Sequence, residues 1–347
     1  MKTYKNLFHK IIAFDNLLLA AHKAAQGKRE QPNVLHFFHR LEDNLLGLQH
    51  ELIHRSYQPG AYATFQIYKP KPRMISAAPF RDRVVHHALI NVIGPLFERR
   101  FIFDSYANRI GKGTHRAIRR YQRFLREFAY VLKCDLRKYF PSLDHEILKM
   151  LLRRAIADAQ TLWLIDLIID SSNPQEFVLD YFPGDDLFAP VEHRKGLPIG
   201  NLTSQFFANV YLDPLDHFIK ETLRCLAYLR YVDDFVLFAD SKAQLHLWLG
   251  QIALFLEDFR LKLNLEHCYI YPSRVGRRFL GQRVFRTHRL LLAENVRGFK
   301  QRQRLWQKSP PENLPQRLAS WQGHAEQADT FGLLQALGLI EASPPQH

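Results

Sequence analysis

Apolar residues recur at helical steps from Leu7 to Gln26, and again at Val34, Phe38, Leu41, Leu45, Leu48 and Leu52, which predicts two N-terminal packing helices. Tyr62 to Tyr68 alternates like a strand, and the proline-rich stretch YKPKPRMISAAPFRDR behind it predicts a stiff, non-helical arm. Val84, Val85, Ala88, Leu89, Val92, Ile93, Leu96 and Phe97 form the buried stripe of an amphipathic helix. A strand is predicted over Ala129 to Cys134, followed by helices from Asp144 to Ile156 and from Thr161 to Asp170. Residues 173–195, with Pro174, Pro183, Gly184 and Pro190, read as an irregular insertion with room for a small hairpin. A helix from Thr203 to Lys220 leads to two aromatic-rich apolar runs within Leu226 to Asp240, which predict a hairpin. Beyond it come a helix from Lys242 to Phe259, strands near Leu263 to Tyr271 and Arg278 to Phe285, and a basic helical tail from Ala293, broken at Ser309 to Pro315. This order fits a split βαβ sheet with helices on one face.

The hairpin carries Asp233-Asp234 at its tip. An acidic pair there is ordinary turn chemistry. A third acid changes the reading, because Asp135 ends the strand-like run Ala129 to Cys134, and three strand-end carboxylates can converge on hard, oxygen-ligated ions such as Mg²⁺. Two such ions about 3.5–4 Å apart would clamp the attacking and leaving oxygens of a phosphoryl displacement. The arm presents Lys69, Lys71, Arg73, Arg81 and Arg83, which suit a triphosphate or simply a solvated loop. Gly111 and Gly113 bracket Lys112 in a turn, with Thr114 placed to cap the basic helix behind it. Gly196, Pro198 and Gly200 form a second turn that lets backbone approach a ligand.

A chain of 347 residues, 47% hydrophobic, can fill two or three subdomains. Its net charge of +14 implies a polyanionic partner. The excess is local: nine Lys/Arg against one acid from Arg99 to Arg126, and ten against one from Arg274 to Arg304. Arg109, Lys112, Arg116, Arg119 and Arg120 alternate with aromatic rings, as a groove for a nucleic-acid strand requires. Three scattered cysteines make no disulfide framework or zinc site and fit a reducing, cytoplasmic setting. The apolar stretch Ile11 to Ala25 is interrupted by Asp15 and Asn16, so neither a signal peptide nor a membrane span is expected.

Taken together, the KPR and RDRVVHHAL arm, SYANRIGKGTHRA, KCDLRKYFPSLDH, GLPIGNLTSQ, YVDD and GRRFLG resemble a reverse transcriptase over roughly Tyr62 to Phe299. The resemblance implies an α+β right-hand polymerase: an N-terminal helical extension (1–61), fingers (62–130), a ferredoxin-like palm (131–288, with the insertion 173–195) and a short helical thumb (289–347). It implies that Asp135, Asp233 and Asp234, with the Leu136 carbonyl, hold two Mg²⁺ ions. Lys69 and Arg73 would meet the dNTP, with Phe140 excluding a 2′-hydroxyl, beside Ile199 and Gly200. Phe279, Leu280 and Gly281 would grip the primer end. The turn reads Ile199-Gly200 and Ser204-Gln205 where most bacterial relatives carry Gln-Gly and Ser-Pro. That version resembles the enzymes of diversity-generating retroelements, which copy a template RNA with errors at adenines, and it marks Ile199 and Gln205 for fidelity. It also implies a small basic accessory protein beside the template RNA and the cDNA or primer. Retron, defence-associated or group II intron-like enzymes are the alternatives of the same chemistry, and a catalytically silent nucleic-acid-binding scaffold is the alternative of another class. Glu266-His267-Cys268 stands where relatives usually put a lysine as proton donor to pyrophosphate, and whether His267 substitutes is open.

Overall fold

The first two strands, β1 (Ala63–Ile67) and β2 (Arg73–Ala77), pair antiparallel as an isolated ribbon in the computed structural model, which describes residues 3–68 and 72–340. The central sheet is built from β3 (Tyr130–Cys134), β4 (Tyr228–Tyr231), β5 (Asp234–Ala239) and β6 (Tyr269–Pro272), in the order β4-β5-β3-β6 with every pair antiparallel. That is the strand order of a ferredoxin-like unit. Alternation along the strands divides the side chains between two cores. Leu132, Cys134, Phe235, Leu237 and Tyr228 join the main core, which includes the helices Phe80–Glu98, Leu202–His217 and Lys242–Glu257. Val131, Leu229, Val236 and Phe238 point the other way, onto Ala117, Ile118, Tyr121 and Leu125 of the helix Thr114–Glu127. The expectation of helices on one face is therefore corrected, because the basic helix has an apolar stripe of its own that covers the second face.

Local side-chain chemistry explains where other elements depart from the sequence pattern. The run Leu7 to Gln26 is two helices, Phe8–Ile11 and Phe14–Ala25. Asn16 Nδ2 donates to the Ile11 and Ala88 carbonyls and so pins the break between them. The next run is likewise divided at Arg40 into Pro32–His39 and Leu41–Ile53, where Asn44 Nδ2 takes the Phe37 carbonyl. Asp144, Asp158 and Ser241 cap the helices that follow them by accepting from backbone amides. Thr114 does not cap its helix: its hydroxyl hydrogen-bonds the Tyr231 hydroxyl at 3.0 Å, and Gly113, at φ 95°, takes the cap position.

The strand foreseen near Arg278 to Phe285 is two strands, β7 (Arg277–Phe279) and β8 (Gln282–Val284), joined by the turn Leu280-Gly281 and extended by β9 (Arg289–Leu291). Both turn residues have positive φ, 45° and 84°, as the tightest hairpins require. The tail forms the helices Ala293–Lys308, Leu314–Ala325 and Phe331–Ala336. Residues 173–195 are largely irregular, with one short helix, Ala189–Glu192, and no hairpin. Among the described residues no helix is long and apolar enough to cross a membrane.

Candidate active site

Tyr231 pairs with Asp234, so the two-residue turn of the β4–β5 hairpin is Val232-Asp233, and Asp234 is the first residue of β5. This corrects the expectation that both acids occupy the tip. Val232 sits at φ 59°, a conformation that costs a β-branched residue energy and must be held by its surroundings. The holder is Arg230, whose Nη1 donates to the Val232 carbonyl at 3.0 Å. Its guanidinium is fully buried, with Nε and Nη2 on the two oxygens of Asp216 at 2.8 and 2.6 Å and Nη1 also on Asn209 Oδ1 at 3.1 Å. The Tyr228 hydroxyl donates to the same carboxylate at 2.6 Å.

The β3–β5 register, Cys134 opposite Phe235, brings Asp135 alongside Asp234. Asn264 Nδ2 donates to Asp135 Oδ2 at 3.1 Å, and Lys133 Nζ lies 3.0 Å from Asp234 Oδ1. Burial pushes the Asp233 carboxyl up to about 6, and the charges of Asp234 and Asp135 push in the same direction, against relief from its own backbone amide and from Arg73. Burial and Asp234 also raise Asp135. For the Lys133 ammonium, burial alone would lower the pKa, but Asp234 outweighs it and the net shift is upward. Among the described residues no three His, Cys, Asp or Glu side chains form a ready metal cage. The expected convergence is thus incomplete: like charges repel, and two of the three carboxylates rest on protein donors instead. A set of acids that raise one another's pKa nevertheless fits a divalent cation, which would relieve that repulsion.

Asp233 faces a cleft of about 470 Å³ whose wall also contains Arg73, Leu136, Phe140, Ile199, Gly200 and Gln205. Phe140 is presented by the short helix Tyr139–Ser142, which starts behind Lys138 at φ 43° and is anchored by the Tyr139 hydroxyl on the Ala208 carbonyl at 2.5 Å. Another part of the wall is a joint between β2 and the glycine turn. The Ser76 amide donates to the Ile199 carbonyl at 2.9 Å, while Asn201 accepts from the Ala78 amide at 3.0 Å and donates to the Ser76 carbonyl at 2.8 Å. Gly200 sits at φ 118°, and a Cβ there would lie 2.9 Å from Ile75 Cγ2, so the close approach requires glycine.

Lys69 lies outside the described residues. The basic cluster divides. Arg116 and Arg119 are exposed, with Arg116 donating to the Gly111 carbonyl, and Lys112 stacks its ammonium 3.4 Å from the Phe103 ring centroid. Arg120 is paired with Asp104 at 2.8 Å. Arg109 is corrected from a nucleic-acid contact to a strut: its side chain is 4% exposed, pairs with Glu98 at 2.8 Å and donates to the Ile102 and Ser105 carbonyls. The Phe279 ring is likewise corrected, being buried and stacked on Tyr121 at 4.3 Å, which leaves the Leu280-Gly281 turn as the accessible part of that triplet. His267 is exposed, in a turn of 3₁₀ helix at Leu265–His267.

Sequence reading missed Arg230, Asp216, Lys133 and Asn201. One signal was present, since Arg230 is a lone cation in a strand between Tyr228-Leu229 and Tyr231-Val232.

The sheet order, the acids at its strand ends and the cleft in front of them define a template-directed polymerase of the right-hand fold. The chain belongs to the reverse transcriptase (RNA-dependent DNA polymerase) family, whose model matches residues 66–284. It is thereby an RNA-directed DNA polymerase, of a family that generally uses divalent metal ions. Protein YkfC of Escherichia coli (strain K12) is similar at 27% identity over 71% of this chain and 72% of its own. Nuclear intron maturase 2, mitochondrial, of Arabidopsis thaliana is similar at 24% identity over 52% of this chain, which spans 31% of the maturase's length. Among solved structures, apo telomerase from Candida Tropicalis aligns at 13% identity over 66% of this chain and 47% of that one, with a TM-score of 0.41.

Proposed function

We propose that the chain copies a template RNA into cDNA from dNTPs in the manner of a diversity-generating retroelement, with errors concentrated at template adenines. The observation that carries this reading is Ile199 in the wall of the cleft that also contains Asp233, Arg73 and Phe140. A side chain without a donor cannot hydrogen-bond the incoming nucleotide, and an apolar contact separates near-isosteres by only about 1–3 kcal/mol. Asp135, Asp233, Asp234 and the Leu136 carbonyl would hold two Mg²⁺ ions, whose chemistry is to polarise the attacking and leaving oxygens. Arg73, with Lys69, steadies the triphosphate, and Phe140 crowds the sugar. Gln205 lines the same cleft and is the second departure from the more faithful pattern.

On this reading residues 62–130 act as fingers, 131–288 as palm and 289–347 as thumb, behind an extension over 1–61, in the cytoplasm and beside a small basic accessory protein. The likeness to proteins titled intron maturases favours a second reading, a group II intron-like enzyme copying faithfully. Primer extension on one RNA template with Mg²⁺, followed by cDNA sequencing, separates the two, with Asp233→Asn as the inactive control. Ile199→Gln is expected to lower misincorporation opposite adenine more than it lowers total cDNA. An unchanged adenine error frequency would remove Ile199 from the fidelity mechanism.

A further inference from the structure

Lys133 is a cation built into the acid-bearing end of the central sheet. Side chains alternate along β3, so Lys133 and Asp135 share one face while Leu132, Cys134 and Leu136 enter the main core on the other. Lys133 pairs with Val236 on β5, and Asp234 stands two residues from that partner on the same face. A lysine stem is long enough to cross this diagonal. Its ammonium lies 3.0 Å from Asp234 Oδ1, with the two side chains 21% and 34% exposed, so solvent and salt screen the pair less than an ordinary surface ion pair. Asp234 thereby differs from its neighbours. Asp135 rests on the neutral amide of Asn264, and Asp233 lines the cleft. Lys133 also differs from Arg230. The guanidinium is fully buried and forked onto both oxygens of Asp216, whereas the ammonium is a point charge on a flexible four-carbon stem, partly open to solvent. A charge held in that way can be displaced by a stronger one.

We propose that Lys133 is an internal counter-ion that competes with a divalent cation for Asp234, so that metal reaches this acid only as the ammonium moves aside. The proposal rests on the reading above that the three carboxylates hold divalent cations. Its consequence is discrimination between two forms of the same metal. A free ion has to displace the ammonium unaided, whereas an ion that arrives on a triphosphate brings phosphate oxygens as ligands of its own. Lys133 therefore disfavours the free ion and leaves the substrate-bound one as the form the site accepts.

The test is Mn²⁺ binding to the full chain without nucleic acid or dNTP, read from the loss of the free-ion electron paramagnetic resonance signal. Groups around a metal site commonly shift its affinity by about ten- to a hundredfold. Lys133→Gln and Lys133→Met should each bind Mn²⁺ at least about tenfold more tightly than the wild type, and Lys133→Arg, which keeps the charge, should stay within about twofold. Two neutral variants of different shape keep the result readable if one of them fails to fold. Adding Asp234→Asn to Lys133→Gln should abolish the gain. Neutral variants that bind no more tightly than the wild type overturn the proposal, and an equal gain in Lys133→Arg overturns it by assigning the effect to packing. In either case, loss of binding in Asp234→Asn alone leaves the metal reading standing. Mn²⁺ binding that is absent throughout, or unchanged by Asp135→Asn, Asp233→Asn and Asp234→Asn, removes the metal reading and this proposal with it.

Discussion

Replacing Arg230 with methionine leaves the Asp216 carboxylate buried with Tyr228 as its remaining hydrogen-bond donor, and leaves the Val232 carbonyl without the guanidinium that holds it. Removing one partner of a buried ion pair costs about 3–5 kcal/mol, most of it the penalty of the stranded charge. Adding Asp216→Leu removes that charge, so the double variant Arg230→Met/Asp216→Leu should recover most of the lost stability. It cannot restore the donor to Val232. The strained turn then loses its support, and Asp233 shifts relative to Asp135 and Asp234. A displacement of that kind lowers turnover on the order of tenfold to a hundredfold, or about 1.4–2.7 kcal/mol of barrier. Urea denaturation of the wild type, both single variants and the double variant measures the first effect, and single-turnover primer extension at saturating Mg²⁺ measures the second. Stability that returns while the rate stays depressed supports a positioning role. If both return together, Arg230 is a structural ion pair only, and the link from buried guanidinium through the Val232-Asp233 turn to turnover is refuted.

Phe140→Ala should raise ribonucleotide incorporation relative to dNTP, since the ring and Ile199 share the wall of the cleft, and competition assays with paired rNTP and dNTP read this directly. RNA affinity should fall with salt at a log–log slope near −0.7 per phosphate neutralised on a single strand. Arg116→Ala with Arg119→Ala should flatten that slope by about 1.4, whereas Arg109→Ala should destabilise the fold and leave the slope alone. His217 offers a pH test away from the site: its hydrogen bond to Asp213 and its contact with Glu221 at 2.6 Å raise its pKa from 6.5 to about 10. The folded state therefore holds a proton that the unfolded chain releases. The resulting stability is fully present below about pH 6.5 and declines as pH rises toward 10, and thermal melts of His217→Gln should lack that decline.

The strand over Tyr130–Cys134, the β4–β5 hairpin and the long helices were legible because period and turn chemistry are local properties of the chain. So was the close approach at Gly200, where a glycine between isoleucine and asparagine marks backbone that nothing larger permits. What escaped depends on partners far apart in sequence. Arg109 reads as one cation of a basic run until Glu98 is seen beside it, and Phe279 reads as a grip residue until it is found stacked on Tyr121. The breaks at Asn16 and Asn44 were hidden for a related reason: hydropathy periodicity does not register a side-chain amide that captures a carbonyl and ends a helix. The carboxylates were recognisable as a set, but not the division of labour that gives Asp234 to Lys133 and Asp135 to Asn264.

The joint between β2 and the glycine turn has a consequence for anyone who would re-engineer this enzyme. Arg73 begins a strand that is fastened to Ile199 and Asn201 through Ser76 and Ala78, so the Arg73 arm and the Ile199 turn are one mechanical part although more than a hundred residues separate them in the chain. A fidelity trait carried by the turn alone would arrive in another scaffold without the strand that sets its height. The transplantable unit is the pair of segments, residues 73–78 with 196–201, and grafts that exchange both should keep their substrate geometry where grafts of either alone lose it.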